Sequence, residues 1–326
     1  MREDDINIFL NSKSFMALML IFTIIASYIA LSSAKIPVFT SNYGVCFDSP
    51  NLWISAPIIS WCANILSIIG IVVMLILMNR AFNYIRGVTW IYASVFLLLE
   101  FSMPSLSVQF FGGTLLCLVT LLLTTLLFST YQNQHITRRI YLIFVIISFC
   151  SLLQYSFIFL IPAFLIGLVQ MRSFSLRASL AAICGLITPF WILIGLGIVG
   201  FEDFTLPHIV SIFSDLAWGN ITILIVSFGG TLLIGIVLLI ANMLHIFKYK
   251  LQIRAYNGFI IILLFTAAVM IGVDYQNMLN YIPLLNCCVA IQVGHFYTIN
   301  TFKRRYIPIA LFMVGYITLY VWRIFL

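Results

Sequence analysis

The sequence predicts an all-α fold, a polytopic transmembrane helical bundle of about eleven spans with a cytoplasmic N-terminus. Three observations carry that expectation. Of 326 residues, 63% are hydrophobic and only 8% charged, with a mean hydropathy of +1.16; a soluble domain carries roughly a quarter charged residues. The apolar residues fall in long runs separated by short breaks. The breaks alternate in charge: Arg2, Lys13, Arg80, Arg86, Arg138, Arg139, Arg172, Arg177, Lys248, Lys250, Arg254, Lys303, Arg304 and Arg305 occupy one set, leaving Lys35 and Arg323 to the other. Asp48, Glu100, Glu202, Asp203, Asp215 and Asp274 belong to that second set. Positive residues resist translocation, so the basic breaks are expected in the cytoplasm.

A spanning helix needs about 20 apolar residues, since it rises about 1.5 Å per residue through a hydrocarbon core about 30 Å thick. The first run, 15–33, ends in Ser32, Ser33 and Ala34, like a signal-peptide cleavage site. Glu3, Asp4 and Asp5 spoil the basic leader such a peptide needs, so an uncleaved helix is expected. Further spans are expected at 53–78, 87–104, 110–130, 140–155, 157–171, 178–200, 219–247, 256–272, 280–299 and 306–324. The stretch 140–171 is short for two crossings, and Pro162 lies in its second half. Basic residues on both flanks require an even number of crossings, which two helices turning at Gln154-Tyr155-Ser156 or a protein-covered re-entrant hairpin would both satisfy.

The bundle is read as a single membrane domain, 1–326. Between spans, Leu206, Ile209, Val210, Ile212, Phe213 and Leu216 recur at helical spacing, with Pro207 near the start and Ser211 and Asp215 on the remaining arc. That pattern predicts a short amphipathic helix over 206–216 on the outer surface. The net charge of +7 is accounted for by the cytoplasmic turns, which argues against nucleic-acid binding. Of the seven cysteines only Cys46 falls in an outer loop, so no disulfide framework is expected. His135, His208, His245 and His295 lie on separate elements without i, i+4 pairing, and no metal site is expected.

The candidate catalytic groups are Asp48, Glu202, Asp203 and His208. Asp48 is the single acid of the first outer loop, suited to a general base or to a turn ahead of Ser49-Pro50. Glu202, Asp203 and His208 share the loop of the amphipathic helix, as general-base or phosphate-metal groups or as a solvated acidic loop. Glu100, Asp215 and Asp274 are candidates for a substrate pathway. Glu100 closes an apolar stretch just before Pro104, where it is either an intramembrane functional acid or a headgroup-level anchor. Asp274 is either a loop acid or a wall of a polar outer vestibule. Gln109, Gln154, Asn286 and Gln292 lie in or at the ends of spans and are expected to bond between helices. Arg138, Arg139, Lys303, Arg304 and Arg305 are candidate headgroup-binding residues, although topogenic charge alone accounts for them. Gly112-Gly113 and Gly229-Gly230 would allow close helix contact.

The block Arg138-Arg139-Ile140-Tyr141-Leu142, with Leu160-Ile161-Pro162-Ala163-Phe164-Leu165-Ile166-Gly167, Arg172-Ser173-Phe174-Ser175-Leu176-Arg177 and Gly185-Leu186-Ile187-Thr188-Pro189-Phe190-Trp191, resembles a bacterial family of multipass inner-membrane proteins of unassigned function. More distantly, the arrangement resembles the membrane half of C-superfamily glycosyltransferases. These use polyprenyl-phosphate sugars and place a catalytic acid in the first outer loop, where Asp48 stands here. The first loop is short and has no paired acidic motif. The resemblance implies a location in the bacterial cytoplasmic membrane and an envelope enzyme acting at the outer face on a lipid-linked substrate, such as a polyprenyl-phosphate-linked sugar. A secondary transporter or flippase, and a non-catalytic membrane scaffold, are the alternatives. No cofactor is legible.

Overall fold

The computed structural model describes residues 3–33, 42–85, 90–133, 137–205, 209, 218–245, 249–299 and 306–325. Among them the fold is all-helical, without strands. The helices, in order, are α1 (Glu3–Leu10), α2 (Lys13–Ser32), α3 (Pro57–Phe82), α4 (Ile91–Phe101), α5 (Pro104–Ser107), α6 (Gly112–Phe128), α7 (Thr137–Leu153), α8 (Leu160–Gln170), α9 (Leu176–Gly195), α10 (Trp218–His245), α11 (Leu251–Val273), α12 (Ile282–Ile299) and α13 (Tyr306–Phe325).

Local chemistry sets several of these boundaries. Ser12 caps α2 by accepting the Phe15 N–H at 3.1 Å, and Ser175 caps α9 by accepting that of Ala178 at 3.2 Å. Pro57 and Pro104 open α3 and α5, where the missing N–H costs nothing. Asn83 ends α3 in the left-handed region at φ 45°, a conformation asparagine tolerates. The Asn79 amide oxygen then accepts the Ile85 N–H at 2.9 Å.

Lys13–Ser32, Pro57–Phe82, Leu176–Gly195 and Leu251–Val273 are long and apolar enough to cross a membrane, and shorter apolar helices accompany them. Bulky side chains such as Ile21, Leu66, Leu180, Trp191 and Leu311 stand exposed on the outside. So much apolar surface fits a lipid bilayer and would be a liability in water.

The continuous third span expected over 87–104 is instead the eleven-residue α4, a break at Ser102 and Met103, and the single turn α5. Pro104 explains the break, because its ring disfavours helical backbone at the preceding residue, and Met103 is extended. The 140–171 stretch does turn at Gln154, passes through a 3-10 segment (Tyr155–Phe159) and enters α8. Its end returns beside its start: Gln132 N–H donates to the Met171 carbonyl at 2.9 Å.

At the centre are α4, buried over its whole length, and α12, buried from Ile282 to His295. α12 packs against α4, α6, α10 and α11. A helix apolar on all sides belongs in such a position, so the polar residues it does carry are the informative ones. Around the core, α7 and α9 pack closely at Gly185, where a Cβ would meet the Tyr141 carbonyl oxygen at 2.7 Å. Ser148 donates across that contact to the Leu186 carbonyl at 2.6 Å.

Alternate connections meet at opposite ends. At one end Cys46 N–H bonds the Leu152 carbonyl, Thr205 N–H the Val45 carbonyl, Gly112 N–H the Asn51 side chain and Tyr155 the Asp274 carboxylate. At the other, Trp90 N–H bonds Asn11, Tyr297 the Asn7 carbonyl, Tyr256 the Phe128 carbonyl and Arg139 the Ser129 carbonyl. Lys13 and Arg80 both lie over the Trp90 ring there, at 5.6 and 5.7 Å.

Candidate functional site

The polar interior is built around α12. Glu100, in the last turn of α4, is fully buried, and its Oε2 accepts the Asn286 amide N–H at 3.0 Å. Its Oε1 and the Asn286 Oδ1 have no partner among the described residues. Two turns further along α12, the Gln292 side chain donates to Asn257 Oδ1 of α11 at 2.9 Å and accepts from Asn242 Nδ2 of α10 at 2.8 Å. Asn242 Nδ2 also lies 3.0 Å from the Gln292 carbonyl, and its Oδ1 is unpartnered among the described residues. One turn beyond, His295 is flanked by the rings of Tyr84 and Tyr249 at 6.1 and 6.2 Å, with neither ring nitrogen bonded among the described residues. Polar groups thus line α12 from Asn286 to His295, about 13 Å at the helical rise.

The expectation of bonds between helices holds for Asn286 and Gln292, each of which ties α12 to a neighbour, while Gln109 donates to the Asn51 carbonyl of the first loop at 3.2 Å and Gln154 donates locally to Ser156 Oγ at 3.0 Å. Glu100, open in the sequence between an intramembrane functional acid and a headgroup-level anchor, is fully buried within the protein. Asn242, Asn257 and Tyr84 were not anticipated. Their signal was available: isolated amides inside long apolar runs have to meet partners when those runs pack.

Asp274, expected as a loop acid or one wall of a polar outer vestibule, caps the end of α11 and is fully buried. Its Oδ2 accepts the Tyr155 and Tyr281 hydroxyls at 2.6 and 2.9 Å, and its Oδ1 accepts the Asn277 amide at 2.9 Å. Asn277 also donates to the Tyr155 oxygen at 2.6 Å. Asp274 therefore clamps the α7–α8 turn to the α11–α12 connection. Gly112 and Gly113 permit this convergence: a Cβ at Gly112 would strike the Gln154 amide, and one at Gly113 would lie 3.0 Å from the Asn280 backbone. Gly229 and Gly230 have no such neighbour within 4 Å among the described residues.

Asp48 stands exposed in a turn organised by Asn42. Asn42 Nδ2 donates to Asp48 Oδ1 at 3.0 Å, while Asn42 Oδ1 accepts the Gly44 and Ser49 N–H groups. Glu202 and Asp203 are exposed on a 3-10 turn, where Asp203 Oδ2 accepts the Gly200 N–H at 2.7 Å. Thr205 binds this turn to the first loop through the Gly44 and Val45 carbonyls. Partial burial first, and then the Asp203 charge, raise the Cys46 thiol above its ordinary pKa. The structure therefore brings Asp203 to the loop that carries Asp48, while Asp274 is buried at the same end and Glu100 is buried in α4.

Arg138 and Arg139 begin α7, and Arg139 is engaged with the Ser129 carbonyl at 2.9 Å. His208, Asp215, Lys303, Arg304 and Arg305 lie outside the described residues, as does all of the expected amphipathic helix over 206–216 except Ile209. Among the described residues no three His, Cys, Asp or Glu side chains group to hold a metal ion. The apolar clefts beside Pro189 and beside α13 contain none of the candidate acids. Compared with protein-family models, with curated proteins and with solved structures, the chain finds no match in any of the three.

Proposed function

We propose that this protein is a membrane transporter whose polar pathway follows α12, with Glu100 as its working acid, in a bundle of about eleven spans with the basic end in the cytoplasm. The observation that carries this reading is the group of buried polar atoms on and beside α12 that have no partner among the described residues: Glu100 Oε1, Asn286 Oδ1, Asn242 Oδ1 and both His295 nitrogens, with others such as Asn64 Oδ1 and Gln170 Oε1 elsewhere in the fold. Helix-to-helix bonding alone would leave few such atoms, since each costs about 1–3 kcal/mol when buried without a partner. Atoms of this kind obtain partners from protons, water or ions passing between helices, and ionisable groups inside a bundle mark such paths.

The test is cysteine accessibility along α12 in intact membranes, in a background with the native cysteines replaced. Single cysteines at 286, 292 and 295 should react with a water-soluble thiol reagent, and a cysteine at 97 on α4 should not. Uniform silence at the three α12 positions sinks the transport reading.

A second reading, a glycosyltransferase-like envelope enzyme acting on a lipid-linked substrate, is favoured by one feature: the docking of the Glu202–Asp203 turn onto the exposed Asp48 loop. It requires Asp48→Asn to abolish an envelope phenotype in folded protein. If every acid can be neutralised without effect, a scaffold replaces both readings.

A further inference from the structure

We propose that Glu100 and Asn286 form a proton-exchange site, in which Glu100 carries a proton in this conformation and shares it with the Asn286 amide oxygen. This deepens the transport reading by naming the ion that would be coupled, and it rests on that reading only for its physiological use.

The argument comes from which atoms are left over. Asn286 Nδ2 donates to Glu100 Oε2, and the unpartnered atoms of the pair are the other carboxyl oxygen and the other end of the same amide. Both are acceptors when the carboxyl is ionised, so neither can serve the other. A proton on Oε1 converts that oxygen into a donor, which the amide carbonyl of the same bonded pair can accept. The pair then closes as a reciprocal acid–amide ring, with N–H to Oε2 and O–H to Oδ1, and one added proton satisfies both orphaned atoms.

Among the described residues the surroundings offer no competing solution. The titratable groups that reach Glu100 are the Cys117 thiol of α6 and the Cys287 thiol of α12. Cys117 is engaged with the Pro283 carbonyl at 3.5 Å. From α13 the Tyr320 ring packs on Phe101 of α4, and its hydroxyl donates to the Ala26 carbonyl of α2 at 2.7 Å. α2 presents Phe22 to Phe101 on its own side. The described Lys and Arg side chains with contacts, Lys13, Arg80, Arg139 and Arg254, are engaged at the basic end. In the exchange step the Glu100 O–H bond breaks, the electron pair stays on the carboxylate, and the proton passes to a water molecule entering beside α12. The reverse step reloads the site.

Infrared spectroscopy of the purified full chain in lipid nanodiscs tests this directly. The wild type should show a protonated-carboxyl C=O band at neutral pH that is lost in Glu100→Gln and shifted, without loss, in Asn286→Leu. The leucine variant serves as the second readout if Glu100→Gln fails to fold. Wild-type and Glu100→Gln spectra that coincide in that region from acidic to neutral pH overturn the proposal. So does a band that survives Glu100→Gln and disappears in Asp274→Asn, which would place the proton on the other acid. A band absent in sodium buffer and present in choline buffer would also overturn it, since the site would then take a metal cation. Because the band reports protonation and cysteine labelling reports hydration, a failed transport reading leaves this result standing, and the converse holds.

Discussion

Two carboxyl groups are buried among the described residues, and their surroundings are opposites. Asp274 has three donors converging on its two oxygens, from Tyr155, Tyr281 and Asn277. Glu100 has one, from Asn286, and an oxygen left over. A fully satisfied buried network rigidifies what it joins, and a partly satisfied one leaves an atom that must be served from elsewhere. Asp274 is accordingly read as the clamp that fixes the two connections at the acidic end, and Glu100 as the group that exchanges.

The most damaging change should be Asp274→Ala, which strips the acceptor from two buried hydroxyls and the half-buried Asn277 amide. Thermal unfolding in detergent should show a loss of roughly 3–5 kcal/mol. A loss below about 1 kcal/mol would mean that the cluster fastens nothing. Next in size, Tyr155→Phe and Tyr281→Phe should each cost about 1–2 kcal/mol, since each deletes one bond to the carboxylate. Because they share an acceptor, the double variant should depart from additivity by about 0.5 kcal/mol or more; strict additivity would separate the two tyrosines energetically. Glu100→Gln should move stability by less than about 1 kcal/mol, because a glutamine amide can close the same ring with Asn286. That small effect, set beside complete loss of transport activity, is the contrast with Asp274. If Glu100→Gln is as destabilising as Asp274→Ala, the distinction collapses.

The smallest effect lies outside the bilayer, at Cys46. Its raised pKa leaves less thiolate at a given pH, so maleimide labelling should require higher pH than for an unperturbed thiol. Asp203→Asn removes the charge that opposes ionisation, moves the profile back to lower pH and should speed labelling at neutral pH roughly two- to threefold. An unchanged rate would break the link between the 200–205 turn and the first loop.

The positions of nearly all the helices were legible, because a run of apolar residues is a local property and the bilayer imposes its length. Where the reading failed, at 87–104, a local signal was present but underweighted: Pro104 stops α4 at Phe101. The candidate site was less legible. Glu100 and Asp274 stood out as charges near apolar runs, but nothing local distinguished them. Asp48, equally prominent in the sequence, proved to be an exposed turn residue held by Asn42.

The sequence by itself determined an all-helical, lipid-compatible chain and the alternation of basic and acidic connections, since composition and spacing act through the solvent that each segment meets. Tertiary structure alone decided which acid is satisfied. Asn286 is 186 residues from Glu100, and Tyr155 is 119 residues from Asp274. Whether a buried carboxyl becomes a clamp or an exchange site depends on donors delivered by other helices, and helix packing brings those donors in from parts of the chain with no sequence relation to the acid.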